Sequence, residues 1–184
     1  LQFPPVGIDA LPEVLRPADD GGILERAGTV EVVSCLEPDG RPVSHDLRWG
    51  VYVVVSSGHG YVQECFRQYG IPTDASGRYA AAWRPNHWIG LELGLSIARA
   101  ALSGEPTGTP ASVVGEVVAR CKSDWPAGHR LDGEGGFSAY GWLVPADISR
   151  EQGLVPLGLL EGARLKRELT RDALVSWDDV ELAA

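Results

Sequence analysis

Between positions 29 and 57 the chain runs through three β-branched stretches, TVEVVSCL, RPVSHDLRWG and VYVVVSS, separated by the turn Pro38-Asp39-Gly40 and by Gly50. That pattern predicts strands of one sheet, with 51–55 as its most buried member. Next, YVQECFRQYG places Tyr61, Cys65 and Tyr69 at i, i+4 and i+8 and ends on Gly70, which predicts a short helix with a glycine stop. In GRYAAAWRPNHWIGLELGLSIARAAL, Pro85 and Asn86 supply a helix start. Trp88, Leu91, Leu95, Ala98 and Leu102 form one stripe, and Ile89, Leu93, Ile97 and Ala101 a second. A helix apolar on so much of its circumference reads as a core helix. GEPTGTP breaks it, and beyond lie short β-like runs, VVGEVVARC, FSAYGWLVP, ARLKREL and ALVSWDDVEL. The opening stretch, with LPEVLRPADDGG, is too interrupted by Pro and Gly for a long element and reads as an arm over the body.

These elements predict the α+β class: a mixed β-sheet packed on a long core helix, followed by a mostly β carboxy-terminal lobe. The expected division is 1–110, a sheet-plus-helix catalytic region with its arm, and 111–184, the β lobe. At 184 residues the chain can bury a core without staples. Cys35, Cys65 and Cys121 are widely spaced and odd in number, which argues against a disulfide framework or zinc site and for an intracellular chain with buried thiols. A net charge of -9 without a basic cluster argues against nucleic acid. Apolar runs are too short to span a bilayer and no secretory signal leads the chain, so a cytoplasmic location without membrane is expected. No methionine occurs, from which we expect that the initiator is missing and that the sequence belongs to something longer.

Dinucleotide and P-loop motifs, HExxH and GxSxG are all missing from the sequence, and its four histidines are scattered. No cofactor and no metal are therefore expected. Glu92 stands out between Leu91 and Leu93. If it faces apolar surroundings, its carboxyl is poised for proton transfer near neutrality; if it shares a polar edge with Ser96 and Arg99, it faces solvent. Arg67, Arg78 and Arg84 flank this region, suited either to a carboxylate or phosphate ligand or to surface acids. His87 would be a neutral imidazole in the first helical turn, or a cap. Trp83 and Trp88 either pack the core or wall a pocket for a flat ligand.

Two segments, CFRQYGIPTDASGRYAAAWRPNHWIGLELGLSIARAALSGEPTG and SDWPAGHRLDGEGGF, with the strings RPxHxxGLE and LDGEGG, resemble the carboxy-terminal half of deoxyxylulose-phosphate reductoisomerase-like oxidoreductases over roughly 49–182. The resemblance implies a catalytic region followed by an antifreeze-like β-clip (SAF) domain from about Val113. It also implies that the family's dinucleotide-binding domain, and with it hydride transfer, is absent. Shortened relatives of this kind resemble bacterial Pictet-Spengler cyclases of the marinacarboline-pathway type. For them the implied reaction condenses L-tryptophan with an α-keto aldehyde to a β-carboline. On that resemblance Glu92 is the general base and Arg67 the second catalytic residue. The same resemblance implies that Arg84, His87, Trp83, Trp88 and Phe66 bind substrate, and Ala82 stands where it leads one to expect a larger side chain.

Three functions follow from this reading: a cofactor-independent cyclase acting as a homodimer, since exposed strand edges favour a symmetric partner; a fragment of an NADPH-dependent reductoisomerase-like oxidoreductase; or a non-catalytic small-ligand-binding module. The aldehyde, the later fate of the product, its stereochemistry and the role of residues 1–28 are not encoded legibly.

Overall fold

A computed structural model describes residues 2–3, 6–34, 36, 39–42, 50–86 and 89–183. The chain divides into two compact units, Gln2–Ala111 and Ser112–Ala184. Helices alternate with small, mainly antiparallel sheets, so the class is α+β, as the patterning predicts.

In the first unit, β1 (Gln2–Phe3), α1 (Leu11–Val14) and β2 (Val32–Val33) precede β3 (Val51–Ser56), α2 (Gly60–Gln68), β4 (Tyr79–Arg84) and α3 (Ile89–Ser103). β1 and β2 form a short parallel pair, while β3 and β4 pair antiparallel with Tyr52 opposite Trp83 and Val51 opposite Arg84. Side chains alternate across a strand, so Tyr52, Val54, Ala81 and Trp83 share one face, and Val51, Val53, Ala82 and Arg84 the other. The first face carries the core: Leu11, 1% exposed, sits against Ala81, with Val6, Ile8, Val14, Leu15 and Val33 around them. What the sequence suggests is an arm is therefore half of this core.

The arm is also tied down by polar contacts. Asp74 accepts hydrogen bonds from Arg16 Nη1 at 3.0 Å, Ser76 Oγ at 2.6 Å and the Tyr79 N–H at 2.9 Å. Burial alone would raise the Asp74 carboxyl pKa; these partners more than offset it and hold it below its ordinary value. At the other end of the strand pair, Gly50 has φ 135°, and a Cβ there would meet Arg84 O at 1.9 Å, so only glycine fits.

Several sequence expectations change. β3 is not the most buried strand, because Val51, Val53 and Val55 point away from the arm and are exposed. Tyr79–Arg84, for which the sequence pattern predicts no element, form a strand: pairing with β3 overrides alanine's helix propensity, and the small side chains let Leu11 approach. Among the described residues of the TVEVVSCL run, Val32–Val33 form a strand. Cys35 and residues 43–49 lie outside the described residues.

α2 and its glycine stop are as expected, Gly70 having φ 65°. α3 has the predicted stripes, but Leu91, Leu95 and Leu102 are 77%, 70% and 86% exposed, so it is not buried as the core helix of its unit. The inner face of the sheet is already filled by α1 and the arm. Ser96 Oγ lies 3.2 Å from Thr107 Oγ1, and Arg99 Nη2 lies 3.0 Å from Glu105 Oε2, so 104–110 folds back along one side of α3.

The second unit contains β5 (Gly115–Cys121), β6 (Ala139–Pro145), α4 (Ala146–Glu151), β7 (Arg164–Leu165) and β8 (Val180–Glu181). β5 and β6 form a seven-residue antiparallel pair, and 153–156 and 173–176 run alongside through backbone hydrogen bonds such as Ala119 N–H to Val155 O and Val155 N–H to Val175 O. Ala119, Cys121, Leu131, Val155, Leu160 and Val175 fill its core, and burial pushes the Cys121 thiol pKa up. α4 gave no sequence signal beyond Pro145 at its N-cap, a helix of six residues being shorter than any readable periodicity.

Candidate active site

Arg84 ends β4 and Glu92 lies in the first turn of α3. The Arg84 guanidinium donates from Nη2 to Glu92 Oε1 and from Nε to the Asn86 carbonyl at 3.0 Å, so the turn between strand and helix is closed by one side chain. Both partners reach solvent, with side chains 62% and 39% exposed. Glu92 thus lies on the polar edge of α3 with Ser96 and Arg99, each held by a polar partner. That is the second of the two readings its sequence neighbours allow. Ala82 is two residues before Arg84 on the same strand face, leaving that face unobstructed beside the pair.

The other candidates are distributed around this pair. Trp83 stacks on Tyr52, with ring centroids 6.4 Å apart and planes 14° from parallel, but on the opposite sheet face from Arg84. Phe66 is half-buried on α2. Arg67, also on α2, binds Glu64 through Nε at 2.9 Å and through Nη2; Glu64 also accepts from Gln68 Nε2 at 2.9 Å. These bonds, Arg67 first, pull the Glu64 carboxyl pKa down and hold that of Arg67 up. Arg67 is therefore engaged on its own helix, not with Glu92. His87 and Trp88 lie outside the described residues.

A cavity of about 680 Å³ was not legible in the sequence. Leu15, Leu24, Val30 and Val32 wall one side and Tyr52 and Val54 of β3 the other, with Glu31 and Ser56 as polar members. Burial pushes the Glu31 carboxyl above its ordinary pKa. Thr29 Oγ1, also in the lining, is buried without a hydrogen-bond partner. The one available signal was Glu31 set between Val30 and Val32, a carboxylate interrupting an apolar run. Among the described residues no group of three His, Cys, Asp or Glu side chains is placed to hold a metal ion. No helix among them is long and apolar enough to cross a membrane.

In the second unit, the LDGEGG string forms a loop around Asp132, which accepts the Phe137 N–H at 2.6 Å and the Ser138 N–H at 2.9 Å. These bonds pull its carboxyl down to about 2. Its role is to hold the loop.

An α+β domain with an accessible arginine-carboxylate pair at a strand-to-helix junction has the makings of an enzyme domain. Residues 1–93 match the family described as "Oxidoreductase DRL, catalytic domain". This is just over half of the chain, and the chain belongs to that family. The matched stretch takes in the arm, the β3–β4 pair and the Arg84–Glu92 pair. No curated protein matches the sequence.

Proposed function

We propose that this chain supplies the substrate-holding and proton-transferring part of a DRL-family oxidoreductase. The observation that carries the reading is the Arg84–Glu92 pair, solvent-accessible and inside the stretch matched to the family's catalytic domain. An anionic group on a substrate, carboxylate or phosphate, competes with Glu92 for Arg84, since a planar guanidinium binds either in the same bidentate way. Displacement leaves the Glu92 carboxylate beside the bound molecule, free at Oε1 to accept a proton. One exchange of partners thus both anchors the substrate and arms the base.

The described residues do not fit a dinucleotide. Among the described residues the sheets are antiparallel pairs apart from the two-residue β1–β2 ladder, and a Gly-rich strand-to-helix turn is missing from the sequence. Any hydride chemistry would be supplied by a nicotinamide held outside these residues.

A second reading is the cofactor-independent cyclase joining L-tryptophan to an α-keto aldehyde, with the second unit as an SAF-like β-clip lobe. What favours it is the solvent-accessible Glu92 carboxylate with an arginine beside it, able to accept a proton next to a held amino acid carboxylate; the stacked Tyr52–Trp83 pair lies on the opposite sheet face and is not part of that site. There Arg84 or Arg67 holds the amino acid carboxylate, and Glu92 takes the proton leaving indole C2.

Calorimetric titration with L-tryptophan and with inorganic phosphate tests the pair. We expect anion binding that is lost in Arg84→Ala and tightened in Glu92→Gln, which leaves Arg84 unopposed. Absence of binding in both wild type and Glu92→Gln would sink the reading. Formation of a β-carboline by the chain alone from L-tryptophan and methylglyoxal, without nicotinamide, would favour the cyclase.

A further inference from the structure

Neither Arg84 nor Glu92 lines the cavity of about 680 Å³ between 15–33 and β3, and all of its lining belongs to the first unit. Its size falls within the ~300–1,000 Å³ of sites that hold small molecules, and it is built as such sites are, with broad apolar walls and few polar groups. Leu15 and Leu24 come from the arm, Val30 from the segment entering β2, and Tyr52 and Val54 from β3. Trp83, stacked on the Tyr52 ring at 6.4 Å, holds the β3 wall in place.

Charge selects the occupant. Among the described residues Glu31 is the one charged side chain in the lining. No described Lys or Arg pairs with it: burial is the largest influence on its carboxyl, and the charge of the chain's amino terminus is what opposes it. A carboxylate drawn out of water without a close partner is costly, and a cation brought against it recovers part of that cost. An anion, by contrast, would meet both Glu31 and a chain charge of -9. A wholly apolar molecule would fill the walls but leave the carboxylate desolvated. We infer that this cavity is a binding site for a small, largely apolar amine, its ammonium group on Glu31 and its hydrocarbon body against Leu24, Val30, Tyr52 and Val54.

Calorimetric titration of the 184-residue chain near neutral pH with adamantylamine, adamantanol and adamantane carboxylate, three ligands with one apolar body, tests this. We expect the amine to bind at least ~10-fold more tightly than the alcohol, and the carboxylate more weakly than either. Glu31→Gln should bring the amine down to the alcohol's affinity and leave the alcohol's own unchanged. Val30→Trp should weaken amine and alcohol alike by narrowing the cavity. Val30 is 49% exposed and lies outside the Leu11–Ala81 core, so this variant should keep the wild-type circular dichroism spectrum. Methyl NMR should show amine-induced shifts at Leu24 and Val54 and none at Leu91 or Leu95 of α3. No binding of amine or alcohol at millimolar concentration, equal affinity for the two, an amine affinity that Glu31→Gln leaves unchanged, or shifts confined to α3 would overturn the inference.

Discussion

Arg84 and Glu92 form an ion pair that joins the last residue of β4 to the first turn of α3. Both side chains are accessible, so the pair contributes little to folding, about 0–1 kcal/mol. Arg84→Ala and Glu92→Gln should therefore each shift the unfolding free energy by less than about 1 kcal/mol, while anion binding falls in the first and rises in the second. The charge-reversed double variant Arg84→Glu/Glu92→Arg should keep near wild-type stability in urea titrations but bind anions with altered geometry. A large stability loss in either single variant would mean that the pair is structural.

Leu11 and Ala81 are in contact at the centre of the first unit, and both are almost fully buried. Leu11→Ala removes the side chain that the alanine run of β4 is shaped to receive, at a cost of about 2–5 kcal/mol. Hydrogen exchange should show faster opening of the β3 and β4 amides. Unchanged exchange there would show that the arm is a dispensable cover.

How far the sequence carried depended on which force decided each element. α2 was legible because its apolar spacing and Gly70 act locally. β4 was not, because an alanine run favours a helix on its own and becomes a strand only through pairing with β3 over 51–56. The apolar stripes of α3 are legible in the sequence, but periodicity reports an apolar face and not what covers it. Glu92 and Arg84 were singled out separately; their contact depends on the turn through Asn86, which spacing does not encode. The cavity wall at 29–33 has no local sequence signature because it is built by tertiary approach to β3.

Thr29 offers a test of that cavity. Its hydroxyl oxygen is buried without a partner, so the folded state carries a desolvation cost that valine, of nearly the same shape, lacks. Thr29→Val should be neutral or stabilising, by up to about 1 kcal/mol, in thermal unfolding of the free chain. Measurable destabilisation would show that the hydroxyl is bonded in solution.

Asp132 sets an acid limit. The Phe137 N–H is the largest influence lowering its carboxyl pKa, Ser138 adds to it, and burial works in the opposite direction; the result is about 2 against an ordinary 3.8. A carboxyl whose folded value is depressed contributes stability that is fully present above its unfolded value and disappears as pH falls through the folded one. Unfolding free energy should thus decline between pH 3.8 and about 2, and Asp132→Asn should lose that part of the slope. Gly136 is the steric partner of this arrangement, since a Cβ there would lie 2.3 Å from the Asp132 carboxyl carbon. Gly136→Ala must push the carboxylate off the loop amides, so the Asp132 resonance in an NMR pH titration should move from about 2 back toward 3.8. Titration of wild-type Asp132 near its ordinary value would show that the loop is not organised around the carboxylate.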